Sequence, residues 1–134
     1  MDKSNRISRA FYQQLARLFY AIAATDGKVR KEEEEELKKI VKNEWLSFDA
    51  SFDEYGIDFV CYISITFDWL QENDWGIKRA ISDFKTYRES NKNLFTDPIN
   101  QLILKTSAAI TSAFATQNKS ELVLLNKLNM VLNN

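Results

Sequence analysis

Apolar positions along this 134-residue chain recur mostly at three- and four-residue steps, the spacing that gathers side chains on one face of an α-helix. Phe11, Leu15, Leu18, Phe19 and Ile22 form such a stripe, flanked by Tyr12 and Tyr20, and predict a first helix over residues 8–24. Leu37, Ile40, Val41 and Trp45 form a thinner face and predict a second helix over residues 30–45. Ser51 followed three residues later by Glu54 has the capping-box pattern and predicts the start of a third helix, reaching about residue 73. Within it Phe59, Cys61, Ile63, Ile65, Phe67 and Trp69 alternate in the manner of a strand. The run from Tyr55 to Glu72 holds no turn residue after Gly56, however, so the preferred reading is a helix apolar on several faces, with a strand as the alternative. Asn73-Asp74-Trp75-Gly76 is a break, after which Ile77, Ala80, Ile81, Phe84 and Tyr87 mark a fourth helix to about residue 90. Thr96-Asp97-Pro98 signals a fifth start, with Asp97 as N-cap, Pro98 in the first turn and the helix reaching about residue 116. Asn118 with Glu121 opens a sixth, carrying Leu122, Leu125, Leu128 and Leu132.

Three glycines and one proline are too few for a turn-rich sheet protein. The expected fold is therefore all-α: a single-domain helical bundle of about six to seven helices over residues 1–134. A faint echo links the two ends. Shifting the first hairpin by 88 positions sets Leu15 on Ile103, Ala21 on Ala109, Ile22 on Ile110, Glu33 on Glu121, Leu37 on Leu125 and Ile40 on Leu128. Two weakly related helical hairpins are expected on that basis.

Formal net charge is −1 and no basic block is present, which argues against nucleic-acid binding. No apolar run approaches the ~20 residues of a membrane span, and the N-terminal residues do not form a signal-peptide core. A cytoplasmic location is expected. The chain has no histidine, which removes His general bases, Ser-His-Asp and Cys-His nucleophile systems and nearly all catalytic zinc sites. Its one cysteine, Cys61, sits in an apolar run and is expected to be a buried structural thiol.

Candidate chemistry gathers at residues 21–37, AIAATDGKVRKEEEEEL. Asp26-Gly27 is a strong helix breaker, because glycine takes positive φ freely and aspartate bonds its own backbone. Val29, apolar amid charges, is expected to plug back against the first helix. Five glutamates then open the second helix and Lys38, Lys39 and Lys42 follow, an order that suits the helix dipole and sets Glu34–Lys38 and Glu35–Lys39 at i,i+4 spacing. Glu32, Glu33 and Glu36 lie within about one turn, so two or three carboxylates could converge beside Asp26. The same residues also fit a plainer role, Asp26 shaping the turn and the glutamates forming a solvated first turn. An EF-hand loop is excluded: Asp26, Gly27, Val29 and Glu33 fit late positions of it, but Ile22 and Ala24 would fill the first two liganding places.

The alanine-rich helix, the Asp-Gly, the valine and the later glutamate resemble the signature of the TerB-like (tellurite-resistance protein B) family, carried here by Ala21, Ala23, Ala24, Asp26, Gly27, Val29, Glu33 and Leu37. Arg30 stands where that family usually places a serine or similar cap, and the family's C-terminal acidic motif is degraded. The resemblance implies an all-helical, pseudo-repeated fold, a link to tellurite and other stress resistance, and divalent-cation binding by Asp26 and Glu33. The expected function is a non-enzymatic interaction module acting through the acidic corner after Asp26-Gly27 on a protein partner. The alternative is weak binding or sensing of a divalent cation, Ca²⁺ or Mg²⁺, through Asp26, Glu32, Glu33 and Glu36. Nine Phe, five Tyr and three Trp supply packing or, where exposed, a partner or homodimer surface; Trp75 in the third break is the one singled out.

Overall fold

The computed structural model describes residues 8–25, 29–112, 128–130 and 132. The described residues form an all-α helical bundle of six helices: α1 (Arg9–Ala23), α2 (Lys31–Ile40), a short α3 (Leu46–Phe48), α4 (Cys61–Glu72), α5 (Ile77–Ser90) and α6 (Asp97–Ser112). A π-helical segment (Val41–Trp45) joins α2 to α3 without a break, and a single 3₁₀ turn (Lys92–Leu94) leads from α5 towards α6.

The first stripe does more than line one face. Phe11, Tyr12, Leu15, Ala16, Phe19, Ala21, Ile22 and Ala23 are all fully buried, because α1 runs through the middle of the bundle with α4, α5 and α6 packed around it. Its alanines permit this, since a small side chain lets a neighbouring helix approach where leucine would hold it off. Leu37, Ile40, Val41 and Trp45 are buried as expected. The wider π turns keep the last two of them facing inward, where the Trp45 indole donates to Thr106 Oγ1 of α6 at 2.9 Å. Tyr12, Phe19 and Phe48 meet Trp45 edge-on, with ring centres 6.1–6.3 Å apart.

The fourth helix expected from the sequence is α5, which matches its expected limits and buries Ala80 and Phe84 on its inner face. The fifth begins at Asp97, one residue earlier than the capping pattern implied, with the Thr96 carbonyl accepting from Asn100 N–H. Of the echo between the two ends, Ile103, Ile110 and Leu128 are buried, while residues 113–127, including Glu121 and Leu125, lie outside the described residues.

The third helix departs from expectation. Ser51 does not cap it: residues 51–60 form a folded loop closed by an antiparallel bridge between Phe52 and Asp58, and helix α4 starts only at Cys61. The reason is Asp53. Its Oδ1 accepts the backbone N–H groups of Tyr55 and Ile57, each at 2.9 Å, and Gly56 takes φ +79° to complete the turn. These local bonds outcompete a helical start at Ser51. The strand alternative is excluded, since residues 61–72 are helical, with Ile63, Phe67 and Leu70 buried. Cys61 is half-buried rather than buried. Partial burial, and then the charge of Asp58, push its thiol pKa up, away from thiolate chemistry.

Candidate functional site

The described part of the corner between α1 and α2 is built from local bonds. Thr25 Oγ1 donates to the Ala21 carbonyl at 2.8 Å, closing the end of α1. Asp26, Gly27 and Lys28 lie outside the described residues, and Val29 packs half-buried against the core as anticipated. Arg30 is extended (φ −96°, ψ 152°) and occupies the N-cap position of α2. Glu33 folds back so that its Oε1 accepts the Arg30 N–H at 3.0 Å, half of a capping box with no hydroxyl at the cap. Its side chain is fully buried.

The four candidate ligands therefore have different situations. Glu33 is a buried helix cap, and Glu32 is exposed at the start of the helix. Glu36 is half-buried and lines a shallow depression between α2 and α6 with Lys39, Asn43, Glu44 and Lys105. Asp26 is not described. Glu34 pairs with Lys38 at 3.0 Å, as its spacing implied, and Lys38 reaches on to Asp68 of α4 at 3.3 Å. Among the described residues, no three Asp, Glu or Cys side chains gather in a way that could hold a metal ion.

A second acidic region, residues 49–58, is organised by long-range contacts. The Tyr12 hydroxyl, from the buried face of α1, donates to Asp49 Oδ2 at 2.6 Å, while Ser51 donates its amide and hydroxyl to Oδ1. Burial pushes the Asp49 carboxyl pKa up, but these bonds more than offset that, and the net shift is downward. Burial, and then the bond to Asp49, raise the Tyr12 phenol well above its ordinary 10.0. Asp53 Oδ2 accepts from the Tyr62 hydroxyl at 2.6 Å and lies 3.3 Å from the Arg9 guanidinium, which also covers the Tyr62 ring. The Tyr62 hydroxyl above all, helped by the amides of Ile57 and Tyr55 and by Arg9, holds the Asp53 carboxyl below its usual range against the opposing effect of burial.

This carboxylate holds in place a loop whose side chains face water: Phe52 is 65% exposed and Tyr55 80%. On α4 beyond it, Ile65 and Trp69 are 48% and 44% exposed. The Trp69 and Trp75 rings lie 5.1 Å apart. Trp75, singled out by its place in the break, is half-buried and clamped. Arg79 stacks 3.9 Å from its ring centre, its indole N–H donates to Asp83 at 3.3 Å, and its carbonyl accepts from the Tyr20 hydroxyl at 2.8 Å. Asp53 and Tyr62 carry no expectation from the sequence, and Ile65 figures there only as one of the alternating apolar positions. The available signal was Asp53-x-x-Gly56, a turn pattern hidden by the overlapping Ser51-x-x-Glu54.

No described helix is long and apolar enough to cross a membrane. Compared with models of protein families, with curated proteins and with solved structures, the chain matches none.

Proposed function

We propose that this protein is a non-enzymatic interaction module, located in the cytoplasm, that docks a protein partner. The observation carrying this reading is the set of large apolar side chains on the outer side of α4 and its preceding loop, held in water by ordered backbone. Single exposed apolar residues are ordinary, whereas several on one element are what interaction surfaces show. The acidic corner after Asp26-Gly27 is part of the proposal as an electrostatic contact, with Glu32 and Glu35 exposed there. The TerB-like resemblance adds a stress- or tellurite-resistance setting, supported by the motif residues alone. Growth of a deletion strain on tellurite tests that setting.

The docking reading is tested by placing a photo-crosslinking residue at Tyr55 or Ile65 in cells, with Glu89, exposed on α5, as control. The expected result is one discrete heterologous product at the first two positions, lost on Trp69→Ser and absent at Glu89. Equal labelling at all three positions would sink it. For the cation alternative, thermal unfolding of EDTA-treated protein should rise with Ca²⁺ or Mg²⁺ by ligand linkage and lose that rise in Asp26→Asn, Glu33→Gln. The buried cap role of Glu33 requires the isosteric amide there rather than alanine.

A further inference from the structure

The outer face of α4 also carries a charge pattern that selects among partners. Residues 43–77 contain eight carboxylates and no lysine or arginine. Three cations from elsewhere in the chain pair with part of this set: Arg9 with Asp53 and Glu54, Lys38 with Asp68, and Lys105 with Glu44. Cys61, Ile65 and Trp69 are spaced four apart, so they form one ridge along the exposed side of α4. Asp68 and Glu72 lie three residues on from Ile65 and Trp69, on the same side of the helix, and Asp58 lies in the loop just before Cys61. Trp75 extends the ridge at one end through its contact with Trp69. At the other end the Tyr62–Asp53 bond anchors the loop that displays Phe52 and Tyr55.

Resting on the docking reading above, we infer that this face receives a cationic amphipathic helix of a partner protein. The partner's apolar side chains would pack along Ile65 and Trp69, and its Lys or Arg residues would meet Asp58, Glu72 and Glu54. A helix laid against a helical ridge is the geometry that ridges-into-grooves packing favours. A second copy of this chain fits worse. A two-fold contact through the face would bring the acidic set Asp58, Asp68 and Glu72 of one copy up to the same set of the other, and facing like charges are penalised. An anionic membrane surface or a nucleic acid meets the same repulsion.

The test is a titration of ¹⁵N-labelled full-length protein, followed by amide shifts. The probe is a synthetic helical peptide of about 18 residues, roughly five turns, with leucine on one face and lysine on the other. A leucine/glutamate peptide and a leucine/glutamine peptide run beside it. The expected result is saturable shifts on residues 54–75 with the lysine peptide alone. Asp58→Lys, Glu72→Lys should weaken binding about tenfold or more, and Ile65→Ser should do likewise. All three positions are at least partly exposed, and unchanged helical circular dichroism establishes that each variant folds. The run Glu32–Glu36 is an internal control, because it is as acidic but offers no exposed apolar ridge. Shifts centred on that run would show charge attraction alone and overturn the inference. Equal binding of the glutamate or glutamine peptide at α4 would overturn the partner's charge while leaving the docking reading standing. No shift on α4 with any peptide would overturn both. Concentration-dependent α4 shifts without peptide, matched by dimer in sedimentation, would overturn the inference in favour of self-association.

Discussion

The two acidic stretches of this chain, residues 32–36 and residues 49–58, differ in where their hydrogen-bond donors come from. In the first, the buried carboxylate of Glu33 takes its donor three residues upstream, and the Glu34 partner Lys38 sits four residues on. In the second, Asp49 is bonded by Tyr12, 37 positions away, and Asp53 by Tyr62 and by Arg9, 44 positions away. A dense run of glutamates thus proves mostly solvated helix surface with one local cap. The sparser aspartates are the ones through which a loop is tied to the core. Charge density along a sequence does not rank carboxylates by structural weight. The donors the fold brings to each one do.

The largest expected effect falls on the residue between the two stretches. Trp45 follows the first in sequence and contacts Tyr12, which anchors the second. Trp45→Ala should cost about 4 kcal/mol in urea unfolding, from lost burial and the cavity left behind. A cost near 1 kcal/mol, below even the transfer free energy of the removed ring, would show that this core does not hold the two stretches.

Next come the two carboxylate anchors, taken one from each stretch. Glu33→Ala should cost about 2 kcal/mol, because the helix start loses its cap inside the protein. Glu33→Gln, which keeps an acceptor oxygen, should recover most of that. Tyr12→Phe should cost about 2 kcal/mol by removing a donor from a charged acceptor. The comparison is sharpened by hydrogen exchange. Tyr12→Phe should speed exchange of the Ser51 amide, which shares Asp49, and leave the α2 amides unchanged, while Glu33→Ala does the reverse. Loss of protection in both places from either variant would break the distinction between local and long-range anchoring.

The pH dependence is a smaller effect and separates the stretches further. Asp49 and Asp53 are held below their ordinary 3.8. The stability they add is fully present above the unfolded-state value and is lost as pH falls through the lower folded-state values. Tyr12 and Tyr62 are held above 10.0, so their share is fully present below that pH and is lost as pH rises through the folded values. Urea midpoints of the wild type should therefore fall on both limbs. Tyr12→Phe should flatten both, since its hydroxyl and Asp49 share one bond. The smallest effects belong to the exposed glutamates: Glu32→Gln and Glu35→Gln should each stay within about 0.5 kcal/mol.

What was legible in the chain alone follows the same division. Helices α1, α2 and α5 were readable because their periods and sparse glycines, and in α2 the dipole-matched charges, are properties of neighbours in sequence. Val29 and the Glu34–Lys38 pair were readable for the same reason. The start of α4 was not, because Ser51-Phe52-Asp53-Glu54 serves two local motifs at once, and Arg9 and Tyr62, which hold the other oxygen of Asp53, come from outside that stretch. The strand-like alternation of residues 59–69 kept a strand open as the alternative for a related reason. Ile65 and Trp69 are apolar yet exposed, so they blur the helical period that Ile63, Phe67 and Leu70 would otherwise show.

The sequence by itself thus determined the all-α class, the breaks at 73–76 and 96–98, and the candidate residues Asp26, Glu32, Glu33 and Glu36. The tertiary structure alone decided that Glu33 is a buried cap, that Asp53 anchors a loop instead of opening a helix, and which apolar side chains are left in water. Helical period and capping depend on residues three or four apart. Burial and the pairing of charges depend on side chains that meet only after the chain has folded.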